Sequence, residues 1–181
     1  GKAAHSARPW VGENPIYRVN EIIKLVQEYE ITELDIDGLQ FKQVMSITKI
    51  SSGIANNVIP EELKLNLNFR YSPEMSGEEA SNFIIGLFSD HSDVDILNTS
   101  DGAMPNKGES QISDFINITG ADVQPKQAWT DIARFYQNDI PCLNFGPGDP
   151  LLAHSTNEHI SKRQLLESYE LLSSYFKDKS E

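Results

Sequence analysis

The chain has 181 residues, of which 39% are apolar and 9% aromatic, enough to bury the core of one ordinary domain or two small ones. Its net charge of −12 argues against nucleic acid and anionic membranes as partners, because both require a basic surface. No apolar run approaches the roughly 20 residues of a membrane helix, and no signal peptide is predicted. The single cysteine, Cys142, excludes an internal disulfide and is interpreted as a buried structural thiol. We expect a soluble, cytoplasmic protein that binds a small molecule or another protein.

Two helices are predicted in the first hundred residues. One starts at the Asn14-Pro15 pair and continues, with apolar residues at helical spacing, to about Tyr29. The other starts at a capping box formed by Ser76 and Glu79. Each has an apolar stripe to bury against a neighbouring layer.

Strands are predicted between and around these helices. Residues 41–50 are rich in β formers, and apolar and polar residues alternate strictly over 63–71. An acidic loop is predicted at 35–38, a short last strand at 94–97, and a first strand at or before Gly1. The order is therefore βαββαβ, an α+β ferredoxin-like sandwich with both helices on one face of the sheet and the other face exposed.

The region after a connector at 100–108 is organised differently. Its predicted elements are a helix over 110–119, a helix after Thr130, a strand over 142–145 and a last helix starting at the capping box of Ser161 and Gln164. One strand is too few for a self-sufficient α/β domain, so we expect these pieces to complete a sheet formed by residues upstream. Because the sequence begins inside a motif, we expect the protein to extend before Gly1.

Two of the four histidines are candidates for chemistry. His154 follows a Gly/Pro-rich loop, where α/β proteins present catalytic side chains, although the spacing also fits a structural histidine. His5 ends a strand before a capped helix, so it is either outward-reaching or a surface residue in a turn. His91 lies in a polar loop and is assigned no role. None of the four is spaced to share a metal ion with another, so the chain alone is not expected to hold a metal centre.

Several polar residues allow both a functional and a structural interpretation. Arg70 projects from the polar face of its strand, either as part of a solvated surface or as a fork that binds a carboxylate. Asn56 and Asn57 are turn residues or amide donors for a ligand. Thr130 and Arg134 are similarly ambiguous, with a structural ion pair the simpler role for Arg134.

A family resemblance spans nearly the whole chain. Its motifs are Gly1 to Pro9, Asn14-Pro15, Ser51-Ser52-Gly53, Asn56-Asn57-Val58-Ile59-Pro60, Asn68-Phe69-Arg70-Tyr71, Trp129-Thr130-Asp131, and Phe145-Gly146-Pro147-Gly148 through His154 and Glu158. In order and spacing these motifs resemble the di-zinc amidohydrolases of peptidase family M20.

That resemblance implies a lid and dimerisation domain inserted into a catalytic domain. Residues 1–104 match the lid, and residues 105–181 match the last, incomplete α/β part of the catalytic domain. The family's remaining zinc ligands and its glutamate general base lie in an N-terminal part that this sequence does not contain. The chain alone is therefore expected to be inactive, and no other acidic residue is assigned those roles.

The resemblance also implies residue roles. His154 matches the final zinc ligand, and His5 matches a lid histidine that stabilises the oxyanion in the partner subunit's site. Substrate-binding positions are matched by Asn56, Arg70, Thr130, Gly146 and Gly148.

The activity implied is hydrolysis of the amide of N-succinyl-LL-2,6-diaminopimelate, a polyanion, to succinate and LL-diaminopimelate, a precursor of lysine and peptidoglycan. The cofactor would be two zinc ions, with cobalt as a substitute, in a homodimer formed through the lid. Acetylornithine and aminoacyl dipeptides are alternative substrates within the family. A non-catalytic dimerisation module is the alternative of a different class.

Overall fold

The computed structural model describes residues 1–178, and its contacts divide the chain into two compact units. The sheet unit comprises residues 1–102 together with 126–128, and the helical unit comprises residues 103–125 and those from 129 onward. Over the described range, no helix is long and apolar enough to cross a membrane.

The sheet unit has an α+β architecture. In chain order its elements are β1 (Ala4–His5), a 3-10 turn (Pro9–Val11), α1 (Pro15–Glu28), β2 (Thr32–Ile36), β3 (Leu39–Ser52), β4 (Val58–Ile59), β5 (Leu63–Arg70) and α2 (Gly77–Phe88). β3 is the centre of an antiparallel sheet with β2 and β5, and β1 pairs with β4 in a second, two-stranded antiparallel sheet. The predicted α+β class is confirmed.

Both helices of the sheet unit begin where their capping residues predict. The Asn14 side chain accepts a hydrogen bond from the Ile16 N–H at 3.0 Å, and Pro15 takes the first helical position of α1. At α2 the capping box is complete, because the Ser76 hydroxyl accepts from the Glu79 N–H at 3.2 Å and the Glu79 carboxylate accepts from the Ser76 N–H at 2.8 Å. These bonds satisfy N–H groups that have no partner within the helix.

One face of the sheet is covered by the helices. Phe69 of β5 contacts Tyr29, which ends α1, with ring centroids 6.2 Å apart, and Phe83 of α2 at 5.5 Å. The buried apolar residues of this unit are Val19, Ile36, Phe41, Ile59, Ala80 and Phe88. Because side chains alternate along a strand, the polar residues of β5 lie on the opposite face.

The acidic loop predicted at 35–38 is confirmed only at Asp37 and Gly38, because Asp35 and Ile36 belong to β2. Those residues belong to a hairpin in which β2 and β3 are joined by Asp37 and Gly38, with φ of 53° and 75°. Two successive residues with positive φ are typical of the tight hairpin turn whose twist matches the strands, and Asp-Gly is a preferred pair there. The Asp35 carboxylate accepts a hydrogen bond from the Gly38 N–H at 2.8 Å and fixes the turn.

The predicted strand at 94–97 was wrong, since this described segment forms no strand. A strand needs a neighbour for its N–H and C=O groups, and the first strand of the expected sandwich is reduced to the two residues of β1. Leu97 is accordingly 83% exposed. The complete βαββαβ arrangement is therefore not formed within residues 1–178.

The helical unit contains helices and loops. Its elements are α3 (Ser110–Thr119), α4 (Ile132–Tyr136), a 3-10 turn (Pro150–Leu152) and α5 (Lys162–Asp178). All three predicted helices are confirmed, including the end of α3 at Gly120, which has φ of 61° and donates its N–H to Ile116 O at 2.8 Å. The strand predicted at 142–145 was wrong, because no other strand among the described residues of this unit is present to pair with it.

Candidate active site

His5 lies at one end of the sheet unit in a backbone setting that fixes its ring. It ends β1, where it pairs with Val58 of β4, and its side chain is exposed. Its Nδ1 atom accepts a hydrogen bond from the Ala7 N–H at 3.0 Å. A nitrogen that accepts carries no proton, so the neutral ring has its N–H at Nε2. His5 therefore presents a hydrogen-bond donor away from its own backbone.

Asn56 lies close to His5 because the loop that contains Asn56 is hydrogen-bonded to the residue after His5. The loop from Gly53 to Asn57 connects β3 to β4 and begins with a positive φ of 84° at Gly53. The Asn57 carbonyl accepts a hydrogen bond from the Ser6 N–H at 2.9 Å, which ties this loop to the residue after His5. The structure thus brings the exposed side chains of Asn56 and His5 to adjacent segments.

Arg70 lies at the far end of β5 from the loop that contains Asn56. It is the last residue of β5 and pairs with Val44, whereas the Asn56 loop lies at the end where the chain enters β5 at Leu63. Seven strand residues at about 3.3 Å each separate Leu63 from Arg70 by roughly 23 Å. The structure therefore does not bring Arg70 together with His5 and Asn56 within one copy of the chain.

In the helical unit, Gly146 and Gly148 lie at one cavity of about 340 Å³, and Thr130 lies next to one of its lining residues. Gly146 and Gly148 line it directly, and Gly148 has a positive φ of 99° that favours glycine. Thr130 adjoins it, since its hydroxyl accepts a hydrogen bond at 3.2 Å from the amide of Asn144, which is also a lining residue. The structure brings these three predicted residues together.

His154 has an unusual backbone conformation. It follows the 3-10 turn at Pro150–Leu152 and has φ of 66°, in the left-handed region that non-glycine residues rarely adopt. Its N–H donates to the Glu158 carboxylate at 2.9 Å, and its side chain is exposed. Strained residues of this kind are concentrated at functional sites, which supports a role for the imidazole. His154 is not among the residues that line the cavity.

The polar wall of the cavity was missed by sequence reasoning. It includes Asn144 and, on α5, Gln164, Glu167 and Ser168. The α5 residues recur at helical spacing on one side of the helix, a signal that was masked by interpreting Gln164 only as part of a capping box. That capping box is present, because the Gln164 side chain accepts from the Ser161 N–H at 3.1 Å.

The described residues form no cluster of metal-ligating side chains, and the environment of Cys142 is that of a structural thiol. Among residues 1–178, no group of three or more histidine, cysteine, aspartate or glutamate side chains is close enough to hold a metal ion. Burial raises the pKa of the Cys142 thiol, which keeps it protonated at neutral pH. Its Sγ donates to the Ile132 carbonyl at 3.6 Å, as expected for a structural thiol.

Comparison with known proteins identifies the family. Residues 1–95 match the family model described as the peptidase dimerisation domain. This match covers more than half of the chain, which therefore belongs to the M20 peptidase family through its dimerisation domain.

Among individual relatives, the chain is 35% identical over 183 aligned positions to the succinyl-diaminopimelate desuccinylase of Corynebacterium glutamicum, covering 98% of this chain and 50% of that protein. It is 34% identical to the putative succinyl-diaminopimelate desuccinylase of Mycobacterium tuberculosis, covering 97% of this chain and 50% of that protein. The chain thus spans about half the length of these relatives.

A solved structure shares the fold. A tripeptidase from Staphylococcus aureus superposes with a TM-score of 0.62 over 97% of this chain and 47% of its own, at 18% sequence identity. At that identity the similarity concerns the fold alone.

Proposed function

We propose that this chain supplies part of the active site of a metal-dependent amidohydrolase that cleaves N-succinyl-LL-2,6-diaminopimelate to succinate and LL-diaminopimelate. The observation that carries the proposal is the His5 ring, whose Nδ1 is occupied by the Ala7 N–H so that Nε2 presents an N–H group outward. Hydrolysis of an amide passes through a tetrahedral oxyanion, which needs such a donor. The names of the Corynebacterium and Mycobacterium relatives supply the substrate.

In this proposal residues 1–104 form a lid and dimerisation domain of ferredoxin-like type, and residues 105–181 form the last part of a catalytic domain. The general base and the other metal ligands are assigned to the part of the relatives that this chain does not span. The chain alone is therefore expected to be inactive.

The active site is shared between two copies of the chain. His5 and Asn56 lie at the end where β5 begins, roughly 23 Å along the strand from Arg70. A small substrate that needs both ends therefore contacts Arg70 of one copy and His5 with Asn56 of the other. This arrangement agrees with the description of the matched domain as a dimerisation domain.

The helical unit contributes the wall around the substrate and one metal ligand. Thr130, Gly146 and Gly148 contribute the wall through the cavity they border, and His154 offers an exposed imidazole as one of the ligands of a zinc pair, for which cobalt is a substitute. When bound, the metal pair would polarise the scissile carbonyl as a Lewis acid. One histidine does not form a metal site, so the chain's own contribution is to orient substrate and donate hydrogen bonds.

The role of His5 is tested by His5→Ala in the full-length protein. Loss of one oxyanion donor lowers kcat by about 100-fold to 1000-fold. Metal content, measured by inductively coupled plasma mass spectrometry, should stay unchanged because His5 is not a ligand. A loss of metal, or an unchanged kcat, would contradict the assignment.

Sharing of the site is tested by mixing two inactive variants. In a mixed dimer of His5→Ala and Arg70→Ala, one of the two sites receives both native residues, so random mixing should restore roughly a quarter of the activity. The matched control mixes His5→Ala with Asn56→Ala, which lie in the same corner and therefore leave no intact site. Equal recovery in both mixtures, or none in either, would refute sharing.

A non-catalytic dimerisation module is the second candidate, favoured by the match of residues 1–95 to the peptidase dimerisation domain. Sedimentation of the 181-residue chain tests association, and a monomer at micromolar concentration would contradict both the module and the shared site. Parallel assays of the full-length protein with acetylornithine, a dipeptide and the succinylated substrate decide the substrate. Activity on none of them would favour the module.

A further inference from the structure

On β3 and β5, the sheet face that points away from the helices has a charge opposite to that of the chain, and the neighbouring β2 adds the carboxylates of Glu33 and Asp35 to this face. The sequence contains 27 acidic and 15 basic residues, yet β3 and β5 contain no acidic residue. Their four charged residues are all cations: Lys42, Lys49, Lys64 and Arg70. The strand register places Lys49, Lys64 and Arg70 on the open face, because directly paired residues project to the same side. Alternation along β3 from Val44 places Lys42 there too.

Lys49 reaches this face only because of a β-bulge. Ile47 pairs with Leu67, but the next pair joins Lys49 to Asn66, so Thr48 is an extra residue in β3. In an uninterrupted register Lys49 would project toward the helices, since a shift of one residue exchanges the two faces. The bulge therefore reverses the orientation of Lys49.

Side-chain hydrogen bonds hold the bulge in place. The Thr48 hydroxyl accepts from the Asn66 amide at 2.6 Å and donates to the Asn66 carbonyl at 3.4 Å. These bonds give the extra residue a fixed partner across the strands. The position of Lys49 is thus part of the folded structure and not a consequence of a flexible loop.

Two of the four cations have acidic partners and two do not. Lys42 is 2.8 Å from the Glu33 carboxylate, and Lys64 is 3.4 Å from that of Glu62. Within the described part of the chain, neither Lys49 nor Arg70 forms an ion pair. Lys49 lies opposite Asn66, four residues before Arg70, so the two positions are roughly 13 Å apart along β5.

We propose that Lys49 and Arg70 are two anion-binding points that select an extended ligand with carboxylates at both ends. The inference rests on the proposed function for the identity of the ligand. N-succinyl-LL-2,6-diaminopimelate has one carboxylate on its succinyl group and another at the far end of its diaminopimelate chain. A short dicarboxylate occupies one point and does not span both. Lys49 is accordingly a residue that determines specificity for substrate length and charge.

Binding to the 181-residue chain tests this inference without requiring hydrolysis. Nuclear magnetic resonance titration with N-succinyl-LL-2,6-diaminopimelate should shift the backbone amides of both Lys49 and Arg70. Lys49→Gln should weaken binding by about threefold to fivefold, since exposed ion pairs contribute modestly. Titration with succinate should be insensitive to Lys49→Gln, because one binding point suffices for it.

The matched control is Lys24→Gln, which removes the same charge from α1, away from this face. An equal effect of Lys24→Gln, an equal effect of Lys49→Gln on succinate, or no shifts at millimolar ligand would each overturn the inference. Because the readout is binding, an inactive full-length protein would count against the proposed function and leave this result standing.

Discussion

The sheet unit and the helical unit differ in how much of their structure is stabilised by backbone pairing between strands and by buried apolar side chains. In the sheet unit, the 14-residue β3 pairs with both β2 and β5, and six apolar residues are buried. In the helical unit only Ile112, Phe115 and Ala133 are buried among the described apolar residues. Its contacts centre on Phe115, whose ring lies 5.1 Å from Phe145 and 5.0 Å from Tyr175.

This difference shows where each unit can keep a site rigid. His5 and Arg70 are residues of paired strands, whereas Gly146, Gly148 and His154 lie on loops supported by one aromatic cluster. On α5, Leu165, Tyr169 and Phe176 are each more than half exposed, so much of this helix has no apolar cover within the described chain. Few buried contacts imply a low free energy of local unfolding. The helical unit should therefore open more readily than the sheet unit.

Phe115→Ala should have the largest effect on this contrast. Removing a buried phenylalanine costs about 3–5 kcal/mol, which a core of three buried apolar residues is not expected to withstand. Native-state hydrogen exchange should show lost protection in α3 and α5 and retained protection in β3. Phe176→Ala is the control, because its side chain is 65% exposed. Equal loss in β3 would show that the two units unfold together.

Deletion of Thr48 should have a smaller effect, confined to the sheet unit. Without the extra residue, Lys49 would directly follow Ile47 and would still pair with Asn66 on the open face. The regular ladder therefore keeps both faces and loses only the hydrogen bonds between Thr48 and Asn66, at an expected cost of about 0.5–1.5 kcal/mol. Urea unfolding followed by β3 amide signals measures the change. Thr48→Ser keeps both the extra residue and the hydroxyl, and should remain near wild type. An unchanged midpoint after deletion would show that the hydrogen bonds of the bulge do not stabilise the sheet.

Local signals were sufficient to predict the helices, because a cap and its partner are close in sequence. Asn14, Ser76 and Gly120 each act within four residues, and all three predicted boundaries are confirmed. The strands at 94–97 and 142–145 failed because a strand also requires a neighbour that the segment itself does not specify. The hairpin turn at Asp37-Gly38 was readable from sequence, but the surrounding acidic residues led to a loop prediction.

In the candidate site, too, the residues were predictable from local sequence but their relative positions were not. The residues to consider were identified through motifs, but their grouping depends on strand length and register. The separation of Arg70 from His5 follows from the eight residues of β5, and the orientation of Lys49 from one extra residue in β3. In the sequence, the bulge is visible only as a change of phase, since apolar residues at 45 and 47 are followed by Ile50.

The smallest expected effect is a pH dependence of the stability of the sheet unit. The Ser76 backbone N–H and hydroxyl donate to the Glu79 carboxylate and hold its pKa below the ordinary value. The unfolded chain therefore binds the proton first as the pH falls. The stability that the Glu79 carboxylate contributes is complete above the ordinary glutamate pKa, and it is lost as the pH falls through the lower folded-state pKa. Glu79→Gln removes the titration, so the difference in Tm between wild type and variant should be constant near neutral pH and shrink in acid. Glu78→Gln is the matched control, because it removes the same charge from the same turn and leaves the hydrogen bonds between Ser76 and Glu79 in place. A difference that stayed constant into acid would mean that the capping carboxylate titrates alike in the folded and unfolded chain.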